Sequence, residues 1–232
     1  MGLFDFLKKE PQKTTAPAAP AEPQYFLLPP EAVQVHNAPI SQPNIKALKT
    51  DCFVLHFETT GLLALGDPSK KTTNQITAIK CARYKNAQLF DSFFSLVNPG
   101  RPIPSDATSA SGIDAQMVAN APTIEQIFPQ FMSYINDAIF GNTLILSFNA
   151  EFNSDFMSIT MRRQNFPGEY RMLDVMKLAD KKLRMSDFPT MKQAMKAMHI
   201  KDRELNADIH KCMVIAALAF ALVDVPDNSV EV

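Results

Sequence analysis

Two short apolar runs constrain the fold of this chain more than any other feature. Cys52-Phe53-Val54-Leu55 and Thr143-Leu144-Ile145-Leu146-Ser147 show no alternation of polar and apolar side chains. A strand that is apolar on both faces has to be covered on both faces, as in a parallel sheet packed between helices. Residues 76–84 and 90–97 read as further strands, joined by a hairpin turn at Lys85-Asn86 and closed by Asn98-Pro99-Gly100. The first three strands therefore read as an antiparallel meander. Ile127, Phe128, Phe131 and Ile135 recur at helical spacing after Ala121-Pro122-Thr123, which predicts a helix from about Ile124. Met191, Met195 and Met198 form a second stripe at i, i+4 and i+7, read as core packing. Residues 213–222 read as an apolar helix.

These elements set the limits of the domain. Eight of the 17 prolines fall in the first 43 residues, at Pro11, Pro17, Pro20, Pro23, Pro29, Pro30, Pro39 and Pro43. Proline removes a backbone donor and interrupts helices. Residues 1–45 are accordingly read as a disordered Pro/Ala-rich tail, residues 46–225 as one domain, and residues 226–232 as a C-terminal tail. The first nine residues, Met1 to Lys9, are a candidate docking peptide for a protein partner. No apolar run approaches the roughly 20 residues of a membrane span, so no membrane role is expected. The opening residues fit neither a secretory leader nor a myristoylation signal. Cys52, Cys81 and Cys212 have no ligand-like spacing and read as reduced thiols of a cytoplasmic protein. The net charge of -1 gives no global basic footprint for nucleic acid. Between Arg162 and Arg203, however, eleven Lys and Arg stand against five Asp and Glu. That stretch is either a solvated helical face or a groove wall for a phosphate backbone.

The end of the first strand reads Leu55-His56-Phe57-Glu58-Thr59-Thr60-Gly61-Leu62. It resembles the first motif of the DnaQ-like, DEDDh-type 3'-5' exonucleases, Asp-x-Glu-Thr-Thr-Gly-Leu, with His56 in place of the Asp. Three further stretches carry the resemblance. Asn98-Pro99-Gly100 runs into Pro102-Ile103-Pro104 and then Gly112-Ile113, with Ala110-Ser111 where the family has Ile-His. Asn149-Ala150-Glu151-Phe152-Asn153-Ser154-Asp155-Phe156 matches the second motif, with Asn153 at its Asp. Leu205-Asn206-Ala207-Asp208-Ile209-His210 falls on the third motif, His-x-Ala-x-x-Asp, with Leu205 at the general base and His210 at the Asp. Residues 171–175 resemble the family's fifth strand, which a helix follows at about 176–182. The resemblance covers residues 51 to about 223 and implies an α/β, ribonuclease H-like fold, a mixed sheet flanked by helices.

The family hydrolyses phosphodiesters with two divalent ions, held by four carboxylates, and a His base. Glu58 is the one carboxylate left at those positions. The resemblance therefore implies an exonuclease-family domain without Mg²⁺ chemistry that retains binding of single-stranded nucleic acid or of a protein. The alternatives are an active 3'-5' exonuclease with an unusual metal set, or a pure protein-interaction domain. Register slips that brought Asp51, Asp155 or Asp208 into the site would be needed to rescue it. Substrate contacts are expected at Thr59, Thr60, Gly61, Leu62, Ser111, Asn149 and Phe152. His56 and Glu58, at i and i+2 of one strand, leave the same face. With His210 they make a two-histidine, one-carboxylate set suited to Zn²⁺ or another transition metal. The bland alternative is that His56 is a core histidine, that Asn153 caps its helix, and that Leu205 adds apolar surface.

Overall fold

A computed structural model describes residues 27–64, 74–185, 188–202 and 207–226. Leu205, most of residues 1–45 and of the loop from Gly66, and the C-terminal residues 227–232 lie outside the described residues. Six strands form one sheet: β1 (Val33–Asn37), β2 (Asp51–Thr59), β3 (Ile76–Lys85), β4 (Gln88–Leu96), β5 (Leu144–Ser147) and β6 (Gly168–Asp174). Their spatial order is β1-β6-β5-β2-β3-β4. β2, β3 and β4 are the expected antiparallel meander, and β5, β6 and β1 add to it in parallel. This is the ribonuclease H-like mixed sheet that the motifs imply.

The two unalternating runs lie where their composition demands. All four residues of β5 are buried, and β2 is buried almost throughout. Phe53, Leu55 and Phe57 pack on one face of the sheet with Phe128, Phe131, Met157 and Met161. These come from the helices α4 (Ile124–Tyr134) and α6 (Ala150–Arg163). Cys52 and Val54 pack on the other face with Leu48, Leu178 and Ile215. Those belong to α1 (Gln42–Thr50), α7 (Val175–Leu183) and α9 (His210–Val223). The short helices α2 (Ser105–Ser111), α3 (Ala115–Val118), α5 (Asn136–Ile139) and α8 (Met191–Ala197) fill the connections. Met195 is buried in the second core with Met191 and Met198 against it, as the stripe requires. The helix α4 begins at Ile124 behind a capping box of Thr123 and Gln126. None of the helices among the described residues is long and apolar enough to cross a membrane.

Two boundaries differ from the sequence reading. The β3–β4 turn is Asn86-Ala87 rather than Lys85-Asn86. Both residues have positive φ, 52° and 59°, the twist that a two-residue hairpin loop needs. The larger correction concerns the tail. Val33–Asn37 pairs in parallel with β6, from Val33 opposite Gly168 to Asn37 opposite Met172. After it, α1 buries Leu48 completely. The prolines permit this because they bracket the strand and leave it intact. Pro29 and Pro30 precede it, Pro39 falls between strand and helix, and Pro43 lies within the first turn of α1 where no intrahelical donor is needed. The backbone N–H of Leu28 donates to the Arg162 carbonyl, and Arg162 Nε donates back to the Leu28 carbonyl at 2.6 Å.

Candidate active site

The alternation along β2 puts His56 and Glu58 on the same side as Cys52 and Val54, at the carboxyl end of the strand, facing α9. A bulge in the β2–β3 ladder falls between Glu58 and Thr59. Such irregularities re-aim side chains at the end of a ladder. His56 lies directly opposite Lys80 of β3. This pairing brings together a group that the motif reading overlooked. Lys80 Nζ donates to Glu58 Oε1 at 3.2 Å, and Lys211 Nζ, from the first turn of α9, lies 2.8 Å from the same oxygen. His56 Nε2 is 3.3 Å from it. The Cys212 thiol donates to the Lys80 carbonyl at 3.2 Å and so ties α9 to β3 beside the cluster.

The cluster is largely shielded from water. The side chains of Glu58, Lys80 and His56 are 7%, 11% and 14% exposed, whereas Lys211 is 35% exposed and forms its open side. Burial by itself would raise the Glu58 carboxyl. The contacts of His56 and Lys211 outweigh it and hold the carboxyl down, to about 2. Burial lowers the His56 imidazole, and its two nitrogens make no hydrogen bond. A neutral ring leaves Lys80 and Lys211 as the cations that balance Glu58. The group therefore carries one net positive charge, whereas a constellation of four carboxylates carries four negative ones.

Asn153 occupies the second-motif position and is completely buried. Its Oδ1 accepts from the backbone N–H of Phe57 at 2.8 Å, and its Nδ2 donates to the Asn149 and Phe148 carbonyls at 3.2 and 3.5 Å. It joins the start of α6 to β2, and every one of those bonds uses the amide. The helix cap is Asn149, not Asn153: Asn149 stands in the left-handed region and its side chain accepts from Phe152 N. Asp174 adds a second clamp, accepting from the backbone of Asn149, Ala150 and Met176.

The proposed metal trio is not assembled. His210 turns to Asp202, 2.6 Å away, and Glu58 is taken by two ammonium groups. Among the described residues no group of three His, Cys, Asp or Glu side chains is placed to hold a metal ion. The divalent ions of the DnaQ-like chemistry do not fit here either, because the cluster offers one carboxylate and its contacted oxygen already faces two cations. Asp51, Asp155 and Asp208, the acids that could rescue the site by a register slip, do not join the cluster among the described residues. Asp51 is bound by Arg83, with Nη2 to Oδ2 at 2.8 Å. Asp155 is exposed on α6 while Asn153 is buried, and Asp208 lies in an exposed turn.

The expected substrate contacts are partly committed to structure. Thr59 Oγ1 donates to the Gly61 carbonyl at 2.7 Å, and Thr60 Oγ1 accepts from Gln75 N at 3.0 Å. A side chain at Gly61 would meet the Asn74 amide at 2.5 Å, so that side chain would have to move to admit it. Ser111 Oγ donates to the Ala107 carbonyl within its own helix. Leu62 is 82% exposed and held by no core contact. Phe152 stacks on Phe156 with ring centroids 5.0 Å apart.

Residues 53–213 match the RNase T exonuclease family. The chain belongs to the DnaQ-like 3'-5' exonuclease family. The chain is 31% identical over 133 residues, 57% of its length, to a PolC-type DNA polymerase III of Caldanaerobacter subterraneus subsp. tengcongensis. Those residues make up 9% of the polymerase, so the chain spans a small part of the relative it matches. Exonuclease X, solved in complex with 5' overhanging duplex DNA, is similar to it at a TM-score of 0.53 and 20% identity, covering 74% of this chain and 90% of that one. A 3'-exonuclease that recognises the histone mRNA stem-loop reaches a TM-score of 0.59 at 14% identity, covering 75% and 82%. At those identities the likeness is one of fold.

Lys80 and Lys211 are the residues of the cluster that motif comparison missed. Lys80 had a signal of its own: it is the lone charge in the apolar run Ile76-Thr77-Ala78-Ile79-Lys80-Cys81-Ala82. A charge inside a strand buried on both faces needs a partner. Its register opposite His56 names that partner as the first motif.

Proposed function

We propose that this domain is a catalytically degenerate member of the DnaQ-like family that retains nucleic-acid binding. The observation that carries this reading is Glu58, whose oxygen faces Lys80 and Lys211 at 3.2 and 2.8 Å. Family chemistry needs a cation that coordinates water and makes hydroxide from it at neutral pH. An ammonium group has donors but no open coordination position, so it does not perform that step. Asn153 supports the same reading, because its amide donates two hydrogen bonds that a carboxylate cannot make. Retained binding is supported by the family fold and by the positive balance of the cluster. Three free, buried cysteines accord with work in a reducing compartment, the cytoplasm.

The test is incubation of the full chain with 3'-ended, fluorescently labelled single-stranded DNA and RNA, with Mg²⁺, with Mn²⁺ and with EDTA. The expected outcome is an intact strand in every lane and a shifted, bound band. Stepwise shortening from the 3' end that needs metal and disappears in Glu58→Gln would establish the alternative, an active exonuclease with an unusual metal set.

A further inference from the structure

Several features outside the motifs lack a stated role. The β4 edge exposes Leu89, Phe90 and Phe94, but nothing in the structure shows what covers it. A cavity of about 310 Å³ opens at Glu31, Gln34, Ile139, Phe140 and Glu169, with two carboxylates and no group that selects a ligand. The lysine cluster carries more. It pairs two ammonium groups with one carboxylate, and one of the ammoniums, Lys211, reaches solvent. It also holds a buried imidazole whose nitrogens make no hydrogen bond.

We infer that Lys80 and Lys211 form a metal-independent phosphate site in which Glu58 is the internal counter-ion. This rests on the reading above and extends it by naming the ligand chemistry, phosphate oxygen, and the groups that take it. Both lysines direct their ammonium to Oε1 of one carboxylate. A single oxygen does not use the three donors of each ammonium. The remaining donors of Lys211 face the exposed side, where a phosphate can approach without entering the core. Lys211 also lies in the first turn of α9, a fourteen-residue helix whose cap, Ile209, makes no side-chain hydrogen bond. The positive end of that helix adds to the same field. Glu58 opposes the ligand by charge and shares its donors. It keeps the two ammoniums in place when the site is empty, and it weakens phosphate binding when the site is filled.

Glu58 thus has a sign that separates this site from an exonuclease centre. Where the acidic residue holds catalytic metal, its loss removes metal-dependent function. Here its loss should free two cations and strengthen binding.

The experiment measures fluorescence anisotropy of a labelled oligothymidylate with the full chain in EDTA, and again with Mg²⁺ at matched ionic strength. Wild type is compared with Glu58→Gln, Lys211→Met and Lys80→Met, each well below its own melting midpoint. A parallel arm follows thermal midpoints in inorganic phosphate against chloride. Binding in EDTA that Mg²⁺ leaves unchanged is expected, tighter by about tenfold in Glu58→Gln and weaker by about tenfold in Lys211→Met, the worth of one charge-assisted hydrogen bond. If Glu58→Gln fails to fold, Lys211→Met carries the test, because that side chain is one-third exposed. Oligothymidylate binding that neither Glu58→Gln nor Lys211→Met alters would overturn the inference and leave the proposed function standing. Binding that requires Mg²⁺ would overturn it as well. Stabilisation by inorganic phosphate that depends on Lys211, with no oligothymidylate bound, would uphold the site and remove the nucleic-acid reading. No response in either arm removes both.

Discussion

Asn153→Asp restores the family residue at the second motif, and the structure gives it a definite cost. The asparagine is fully buried, accepts from Phe57 N at 2.8 Å and donates to two carbonyls at 3.2 and 3.5 Å. An ionised aspartate keeps the first bond. Its second oxygen then faces the Asn149 and Phe148 carbonyls, acceptor against acceptor, with the charge buried. An uncompensated buried charge of this kind costs about 3–5 kcal/mol. The protonated acid recovers the stronger donation, to Asn149, and loses only the long one, at a cost of about 1 kcal/mol. The difference favours the protonated form in the folded chain, so burial and the facing carbonyls raise the folded carboxyl above its unfolded value of about 3.9.

The sign follows from that shift. A carboxyl raised in the folded state binds its proton more tightly there. The variant is therefore closest to wild type below about pH 4 and loses up to about 1.4 kcal/mol per unit as pH rises from there through the raised folded pKa. Urea unfolding of variant and wild type at pH 5, 6, 7 and 8 checks it, because the difference between the two chains removes the contribution of all other groups. A difference that is constant over this range, or below about 1 kcal/mol at pH 8, would refute the reasoning. It would mean that a cation of the lysine cluster compensates residue 153 directly.

Three other outcomes are expected. A chain beginning at residue 27 should melt like the full chain, whereas one beginning at Lys46 loses β1 and the buried Val33 and Ala38; thermal scans should show a midpoint lower by about 10 °C. Glu58, held down to about 2 from 4.5, contributes stability that is fully present above pH 4.5 and is lost as pH falls towards 2. The difference in stability between wild type and Glu58→Gln should shrink across that window, measured by urea unfolding in acid. Combined reversion by His56→Asp, Asn153→Asp and His210→Asp should not restore metal-dependent cleavage while Lys80 and Lys211 remain, which labelled-strand assays with Mn²⁺ would show.

The framework was legible because each motif carries a backbone requirement that its letters reveal. Gly61 lies against the Asn74 amide, Asn149 sits in the left-handed region, and the β2 and β5 runs can only be interior strands. The occupants of the site were legible as losses, residue by residue. The cations around Glu58 were not, since Lys80 and Lys211 come from positions without a family signature and meet Glu58 only through the β2–β3 register and the docking of α9. The first strand was hidden for a different reason. Proline spacing reports where a helix is interrupted, yet a five-residue edge strand fits between Pro30 and Pro39 without needing a donor from either. The direction of His210 was not legible because sequence register places its Cα, while its ring turns to Asp202, 2.6 Å away.

The retention of Glu58 alone among the family carboxylates has a physical reason in this arrangement. A carboxylate 7% exposed requires a cation to balance it. Lys80 and Lys211 supply it covalently, as part of the chain. Removing Glu58 would then leave two ammoniums close together at a mostly buried site, whereas removing either lysine would leave the carboxylate paired with the other, because an uncompensated buried charge is what makes breaking an ion group costly. Glu58 is therefore bound energetically to both lysines, while His56, 3.3 Å from the same Glu58 oxygen, adds a contact without a formal charge. Of the four, His56 is the position where substitution by an apolar side chain of similar size should change stability least.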